Sequence, residues 1–502
     1  MEQCKSKVCW TTDEGGRQTG TRQSDSRIVP EKVGNATGGK PREGLYSLQS
    51  LLCKAISRGK HYLYAEIGEI METKLERISQ LSREKPEMVF TSIGHLINKE
   101  MLKECHEKMD GKKAVGIDGV TKEEYEEKLE ENLDSLIGRL KGKSYRPKPA
   151  RRVEIPKDNG KTRPLSIYCY EDKLVQEALK RILEAVFEPH FYEEMMGFRP
   201  GRSCHQAIQK LSRMLEENPT NYVLDADIKS FFNNLDHEWI IRFIESRITD
   251  PNIIRLVRRM LKAGVMENFQ YEPTEEGSGQ GSGTSPIIAN IYMHYVLVWW
   301  YREVMKPHMK GYSGLVVYAD DFVVSFQYKE DAEKFYEHLT KRMKNFGLRL
   351  EEEKSRLIKF GRYAQAEAEK TGKKPATFNF LGFTHYCSKG RSGGFRVKRK
   401  TSKKKFSKKC KEVHAQIGKM RQQKVRDIIK RLNSILTGYF HYYGITDNSR
   451  SISRFRYKVI KSLYFWLNRR SQKKSYTWEG FNEMLKVYPL VNAKIYVNVY
   501  AR

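Results

Sequence analysis

Apolar positions change their period along the chain, and each change predicts a different kind of element. From about residue 46 to 110 the spacing is helical: Leu48, Leu51, Leu52 and Ile56 mark one stripe, and Met88, Ile93, Leu96 and Ile97 suggest another. Ala114-Val-Gly-Ile-Asp-Gly119 is a turn-rich break, and 122–142 return to a charged helix. Val153-Glu-Ile155 alternates as a strand does, Pro156-Lys-Asp-Asn-Gly160 reads as a turn, and 171–188 read as a helix. Residues 220–385 hold apolar strand-like runs between helices, and from 386 onward the pattern reads as helical and intensely basic. Residues 1–45, rich in Gly, Ser, Thr and charge, are expected to be mobile or to order only on a partner. No repeat at solenoid periods is visible.

Composition narrows the class. Hydrophobic residues make up 39% of the 502, enough to bury a core in several domains. There are 92 basic and 62 acidic residues, a formal charge of +30. A neutral small substrate gives no reason for that excess. A polyanion does, and phosphate backbones are the usual one. The eight cysteines are scattered without a C-x-x-C pair, which argues against a zinc ribbon or a disulfide framework and suits a reducing cytoplasm. No apolar run is long enough to span a bilayer and no signal peptide opens the chain, so a cytoplasmic protein is expected, with no membrane partner.

Two stretches carry candidate chemistry. In Leu315-Val-Val-Tyr-Ala-Asp-Asp-Phe-Val-Val-Ser-Phe326, apolar runs on both sides of two acids read as a hairpin with Asp320 and Asp321 at its tip. In Tyr222-Val-Leu-Asp-Ala-Asp-Ile-Lys-Ser-Phe-Phe232, a strand puts Val223, Asp225 and Asp227 on one face and Leu224, Ala226 and Ile228 on the other. Side by side, the two elements gather three or four carboxylates. Such a cluster repels itself unless cations fill it. Mg²⁺ takes oxygen ligands while leaving places for phosphate and water, and a pair of such ions suits nucleotide addition. Spacing alone leaves Asp225 and Asp227 as equal candidates.

Tyr318-Ala-Asp-Asp321, preceded by Asp227-Ile-Lys-Ser-Phe-Phe232, resembles the palm signature of reverse transcriptases. Further pieces fall in the order of group II intron-encoded reverse transcriptases: Arg152-Val-Glu-Ile-Pro-Lys157, Arg163-Pro-Leu165, Gly197-Phe-Arg-Pro-Gly-Arg-Ser203, Ser285-Pro-Ile-Ile-Ala-Asn-Ile291, Gly347-Leu-Arg-Leu350 with Lys354, and Phe380-Leu-Gly-Phe383. Leu436-Thr-Gly-Tyr-Phe-His-Tyr-Tyr-Gly444 resembles that family's maturase (thumb) domain. The resemblance runs from about residue 88 to the end. It implies an α+β right-hand polymerase: an N-terminal extension and fingers over 46–210, a palm with an antiparallel sheet plus helices over 211–385, and a basic helical thumb over 386–502. The implied activity is RNA-directed DNA synthesis, coupled to splicing and mobility of a group II intron.

The resemblance also implies roles. Asp227, Asp320 and Asp321 become the catalytic, metal-binding trio, with two Mg²⁺ ions and deoxynucleoside triphosphates as cofactor and substrate. Phe232 falls where an aromatic ring excludes a ribose 2′-hydroxyl, though ordinary core packing also suits it. Lys157 and Arg163 match residues that grip the incoming triphosphate, and an ammonium and a guanidinium both neutralise phosphate oxygens. Gln280 and Lys354 join them as nucleotide-binding candidates. Arg151 and Arg152 are candidates for the template or primer backbone. Between Lys398 and Lys411, nine of fourteen residues are Lys or Arg. Of these, Lys398, Arg399, Lys400, Lys403, Lys404 and Lys405 are read as nucleic-acid contacts. They lead into helices carrying Tyr439, Phe440, Tyr442, Tyr443, Phe455 and Tyr457, of which about half should be core. The expected partners are an RNA template, a DNA or RNA primer, structured intron RNA and target DNA, in a bacterial cytoplasm.

Three departures stand out. Gly277-Ser-Gly-Gln-Gly-Ser-Gly-Thr-Ser285 has Gly279 where the family has proline, and its four glycines suggest a poorly pre-organised loop. Asn233 replaces an acid, and Met196 replaces an aromatic residue or histidine. No endonuclease-like pattern follows the last helices. Two other readings compete: an RNA-binding splicing factor with impaired polymerase activity, and a free-standing reverse transcriptase serving DNA repair or phage defence.

Overall fold

The structure, a computed structural model, describes residues 73–156, 162–267, 270–390, 392–473 and 475–500. Segment 1–45 and the stripe at Leu48, Leu51, Leu52 and Ile56 lie outside them. The first helices are α1 (73–84), α2 (Lys99–Lys108), α3 (Lys122–Glu127) and α4 (Leu129–Lys141). The single helix expected over 122–142 is two. A capping box between Thr121 and Glu124 starts α3, and the chain turns at Lys128. Tyr125 on α3 then meets Tyr170 and His106, while Leu133 and Leu136 of α4 are fully buried.

Strands β1 (Ala150–Pro156) and β2 (Thr162–Ile167) pair antiparallel, as their alternation requires. Helix α5 (Tyr170–Phe187) follows, then α6 (Cys204–Glu217), capped by the Ser203 hydroxyl. Strand β3 (Tyr222–Asp227), helices α7 (His237–Glu245) and α8 (Pro251–Leu261), and strands β4 (Val265–Glu267) and β5 (Gln270–Glu272) come next. β1 and β4 pair in parallel, giving a sheet in the order β2-β1-β4-β5. Helix α9 (Ser285–Met293) leads to β6 (Ser313–Tyr318) and β7 (Asp321–Phe326), then α10 (Lys329–Asn345), β8 (Arg356–Lys359) and α11 (Arg362–Thr371).

The central sheet has the order β6-β7-β3-β8, all antiparallel. Its faces bury different sets. Leu224 and Ala226, followed by Ile228, join the main core with Phe335, Leu339 and Met343 of α10. Val223 joins Val316 and Val323 against Ala207, Leu211 and Met214 of α6. Helices therefore cover both faces of the middle of the sheet. At one end lie Asp225 and Asp227.

The expectation of helix from 386 onward fails at its start. Strands β9 (Thr377–Phe380), β10 (Phe383–Lys389) and β11 (Phe395–Thr401) form a three-stranded antiparallel ribbon. Along β11, Val397, Arg399 and Thr401 face inward, while Arg396 and Lys400 face out. That is strand periodicity, hidden because a buried arginine and an exposed lysine look alike in a basic run. β10 also crosses the division expected at 385/386. Four helices follow: α12 (Lys403–Met420), α13 (Val425–Tyr443), α14 (Ser449–Leu467) and α15 (Trp478–Val487). They share a core of Val413, Ile417, Leu432, Leu436, Phe440 and Phe455 among others. Fully buried Asn448 ties this bundle to the ribbon, accepting from Thr401 N–H at 2.9 Å and donating to the Tyr443 carbonyl at 2.8 Å. No described helix is long and apolar enough to cross a membrane.

Candidate active site

The β6–β7 hairpin is closed by Ala319 and Asp320. Ala319 takes a left-handed φ of +58°. Gly197 presses on this turn: a Cβ there would stand 2.4 Å from the Ala319 nitrogen, so only glycine fits. Asn290 on α9 donates to the Gly197 carbonyl at 3.0 Å. Arg199, nearly buried, donates to Glu188 and to the carbonyls of Tyr192 and Met195, which stiffens the same turn. Of the six non-glycine residues with left-handed φ among the described residues, Phe198, Ser230, Ala319 and Leu381 border this hairpin or the end of β3. Strain of this kind persists only where the surroundings over-determine it, and it gathers at functional sites.

Register brings the acids together. Asp227 of β3 lies opposite Asp321 of β7, and Asp321 pairs with Tyr318 across the hairpin, with Asp320 in the turn. Asp225 sits two residues back on the face of Asp227. Arg356 on β8 approaches Asp225 at 3.7 Å. The Lys354 ammonium forms an ion pair with Asp227. Lys354 is placed by Glu351, whose N–H donates to the Asp227 carbonyl at 2.8 Å. Arg163 on β2 lies close enough to Asp320 to favour its charged form, as does Lys354.

Crowding shows in the acidities. Asp321 is pushed up to about 8, first by burial of its carboxyl and then by the negative charges of Asp225, Asp227 and Asp320. Although part of its surface remains open, its carboxyl is surrounded by protein, and burial is the larger cause. The Leu381 N–H, 3.5 Å from Asp321 Oδ2, opposes the shift. Asp225 rises to about 6, by burial against the pull of Arg356. Asp320 is also raised, burial first.

This oxygen-only donor set fits a hard divalent cation, which would relieve the crowding. Among the described residues no three His, Cys, Asp or Glu side chains stand so as to hold a metal ion by themselves. A divalent cation here would have to draw further ligands from water or substrate.

Phe232 is half-buried, edge-on to Phe231 at 5.3 Å, on the short turn after Ser230. The glycine-rich loop packs directly on that turn. Gly277 N–H donates to the Leu235 carbonyl at 2.7 Å, Ser278 N–H to the Phe232 carbonyl at 2.8 Å, and the His237 ring to the Gly277 carbonyl at 2.7 Å. Ser278 and Ser285 hydroxyls meet at 2.6 Å, and Ser166 N–H of β2 donates to the Gln280 carbonyl at 2.6 Å. The expectation of a poorly pre-organised loop is wrong. A Cβ on Gly279 would stand 2.1 Å from the Tyr168 hydroxyl, and one on Gly281 2.4 Å from the Ser166 carbonyl oxygen. These glycines permit close approach. The loop links β2, Gln280 and the Phe232 turn into one pinned unit.

Several basic candidates fall elsewhere. Arg399 is fully buried, donating to the Val397 carbonyl and the Tyr500 hydroxyl and 3.6 Å from Asp447, so it does not face nucleic acid. Arg152 is tied to Glu267 at 3.0 Å and Glu272 at 2.8 Å. Arg151 donates to the Val115 carbonyl at 2.9 Å. Both are engaged within the protein. Lys400 is exposed, its ammonium over the Tyr386 ring, and Lys398 is half-buried on the same strand. Lys403, Lys404 and Lys405 open α12, exposed, and line a cleft of about 1200 Å³ whose wall includes Asp321, Phe380 and Leu381. Lys157 lies outside the described residues. Of the six aromatic residues singled out on α13 and α14, Tyr439, Phe440 and Phe455 are core, Tyr442 and Tyr443 half-buried, and Tyr457 exposed. Residue-by-residue reading missed Arg356, which lies in no motif, and gave no role to Asn290 or to the backbone of Leu381, although both fall within motifs of the resemblance.

Residues 155–385 match the family described as reverse transcriptase (RNA-dependent DNA polymerase). Residues 403–482 match the group II intron, maturase-specific domain. The chain thus carries a reverse transcriptase region followed by a group II intron maturase-specific one. It is 38% identical over 222 residues to the group II intron-encoded protein LtrA of Lactococcus lactis subsp. cremoris, covering 44% of this chain and 37% of that protein. It is 35% identical over 182 residues to protein YkfC of Escherichia coli K12, covering 36% and 48%. It is also 34% identical over 180 residues to the putative COX1/OXI3 intron 1 protein of Saccharomyces cerevisiae, covering 36% and 21%. The matched stretches span less than half of each of these relatives. The central sheet and its hairpin fall within the reverse transcriptase match, and α12 to α14 within the maturase-specific one.

Proposed function

We propose that this reverse transcriptase copies an RNA template into DNA and also binds a structured group II intron RNA, aiding its splicing and mobility. The observation that carries the polymerase reading is the register that sets Asp227 opposite Asp321, with Asp320 at the tip, beside a cleft edged by Lys403, Lys404 and Lys405. Asp227, Asp320 and Asp321 would hold two Mg²⁺ ions, which when bound activate the primer hydroxyl and steady the departing pyrophosphate. Around them the chain does the positioning. Arg163 and Lys354 meet the triphosphate, with Lys354 giving up Asp227 as substrate arrives. Phe232, braced by Phe231 and the glycine-rich loop, stands against a ribose 2′-hydroxyl. Gln280 is presented from a loop whose backbone is fixed to β2. The three lysines of α12 face the duplex backbone. The pinned loop removes the main reason for reading the chain as a splicing factor with impaired polymerase. In this reading the strands and helices from β3 to β8 act as palm, β1–β2 as fingers and α12–α15 as thumb, and the protein works in a bacterial cytoplasm.

Primer extension on an RNA template with Mg²⁺ and deoxynucleoside triphosphates tests the reading. DNA product that needs both template and Mg²⁺ is expected. No product from the full chain would refute it.

A further inference from the structure

The turn Leu381–Gly382 between β9 and β10 is unusual. Both residues are left-handed, with φ of +48° and +78°. Two-residue hairpin turns of this kind ordinarily carry Asn-Gly or Gly-Gly, because leucine resists that conformation. Leu381 is held by what it touches. Its side chain packs between two apolar clusters, one including Val223 and Phe380 and the other Phe383 and Ile445. Its N–H reaches Asp321 Oδ2 at 3.5 Å, and its carbonyl accepts from the Tyr442 hydroxyl at 2.9 Å. The Gly382 carbonyl accepts from Ser402 N–H at 3.0 Å. A backbone contact as long as 3.5 Å is sensitive to a small displacement of the turn.

Tyr442 is itself fixed. Its carbonyl accepts from the His205 ring at 2.8 Å, and its ring stacks on Phe383 at 5.9 Å. A second path runs to the same hairpin. The Cys204 thiol donates to the Tyr318 hydroxyl at 3.1 Å and also neighbours Tyr442. Tyr318 in turn pairs with Asp321 across the hairpin. Contacts from Tyr442 thus reach Asp321 from two sides.

We propose that Tyr442 is a positioning residue for the polymerase site: by holding the Leu381 carbonyl it keeps the Leu381 N–H on Asp321, so that helix α13 sets the place of a palm carboxylate. The inference rests on the polymerase reading above. It makes the maturase-specific bundle a part of the catalytic geometry as well as a grip on nucleic acid. Displacement of α13, by a badly seated duplex or by bound intron RNA, then reaches Asp321 through one peptide turn.

Tyr442→Phe tests this, since it deletes one hydroxyl and keeps the ring stack. The expected kcat for primer extension falls roughly three- to ten-fold, the worth of one hydrogen bond. The KM for nucleotide and the Kd for template–primer should stay within about two-fold, which separates positioning from grip. In the protein without nucleic acid, amide exchange over residues 378–383 should quicken. Tyr439→Phe on the same helix, whose ring packs on Phe455 in the bundle core, should change none of these. Unchanged kcat and exchange in Tyr442→Phe would overturn the inference, as would a loss of duplex affinity that accounts for the whole rate defect. If Tyr442→Phe does not fold, Leu381→Gly, which frees the turn from the other side, should show the same rate defect and faster exchange. Normal values there would also overturn it. A wild-type protein that makes no DNA sinks the polymerase reading instead, and the exchange measurement still decides the contact.

Discussion

Two hairpins in this molecule carry clustered charge, and they use it in opposite ways. In β6–β7 with β3 beside it, acids stand at one end of apolar strands, and burial pushes Asp321 up to about 8. In β11, four of seven residues are cations, yet Arg399 points into the core beside Asp447 and Tyr500 while Lys400 points out. The first hairpin concentrates like charge and needs a partner from outside. The second neutralises its inward charge within the protein and leaves only the outward set for a partner. Charge in a sequence therefore speaks of chemistry only through contrast with its neighbours. Asp320 and Asp321 are the sole acids in an apolar run, whereas Arg399 is one cation among nine.

The comparison breaks most easily at its strong end. Asp320→Asn should lower DNA synthesis by roughly three orders of magnitude, the scale of losing a central electrostatic group, while RNA binding, measured by filter retention, changes little. Surviving synthesis would mean that the acids are not the reacting centre. On the other hairpin, Asp447→Ala leaves Arg399 buried with one carboxylate fewer. That should cost about 3–5 kcal/mol in denaturant unfolding, whereas Lys400→Ala should stay within about 0.5 kcal/mol. Equal costs would remove the distinction between inward and outward cations.

The central sheet was legible because its signals are local. Leu224, Ala226 and Ile228 alternate with acids, so strand, face and chemistry all come from consecutive residues. Motif order then supplied the choice of Asp227 over Asp225, which spacing left open. The ribbon was not legible, because Val397, Arg399 and Thr401 alternate only if an arginine counts as a core residue. That depends on Asp447 and Tyr500, far along the chain. The glycine-rich loop misled for a similar reason. Glycine reads as freedom, but at Gly279 and Gly281 it is the space required by Tyr168 and the Ser166 carbonyl. Leu381 stood within a recognised motif, but its contact with Asp321 is made by its backbone, which a side-chain pattern does not show.

The raised acidities make a pH prediction with a definite sign. Asp321 has a folded pKa of about 8, well above the ordinary 3.8. Its neutral form is compatible with burial and its ionised form is not. Without divalent metal, its contribution to stability is therefore fullest below about pH 4 and is lost as pH rises toward 8. Asp225, raised to about 6, adds in the same direction. Melting in EDTA at pH 4, 6 and 8 should show Asp321→Asn matching wild type at the acid end and exceeding it by several degrees at pH 8. Mg²⁺ at pH 8 should raise the wild type and leave the variant nearly unmoved. A wild type that gains stability from pH 4 to 8 by more than the variant does would contradict the crowding described for this site.

The smallest effect probes the outward set alone. Lys404 is exposed at the start of α12 and lines the cleft shared with Asp321. Contact with one phosphate releases about one counterion, so Lys404→Ala should flatten the salt dependence of template–primer binding by a slope of about one. The weakening should be uniform across sequences, because a backbone contact reads none of them. Synthesis at saturating duplex should hardly change, since the ammonium touches neither the acids nor the nucleotide in this reading. Arg399→Lys offers the matched control from the inward set: its charge is kept and never meets the duplex, so the slope should stay as in wild type while stability falls. If Lys404→Ala leaves the slope unchanged and Arg399→Lys alters it, the division between the two faces of the basic run is drawn in the wrong place.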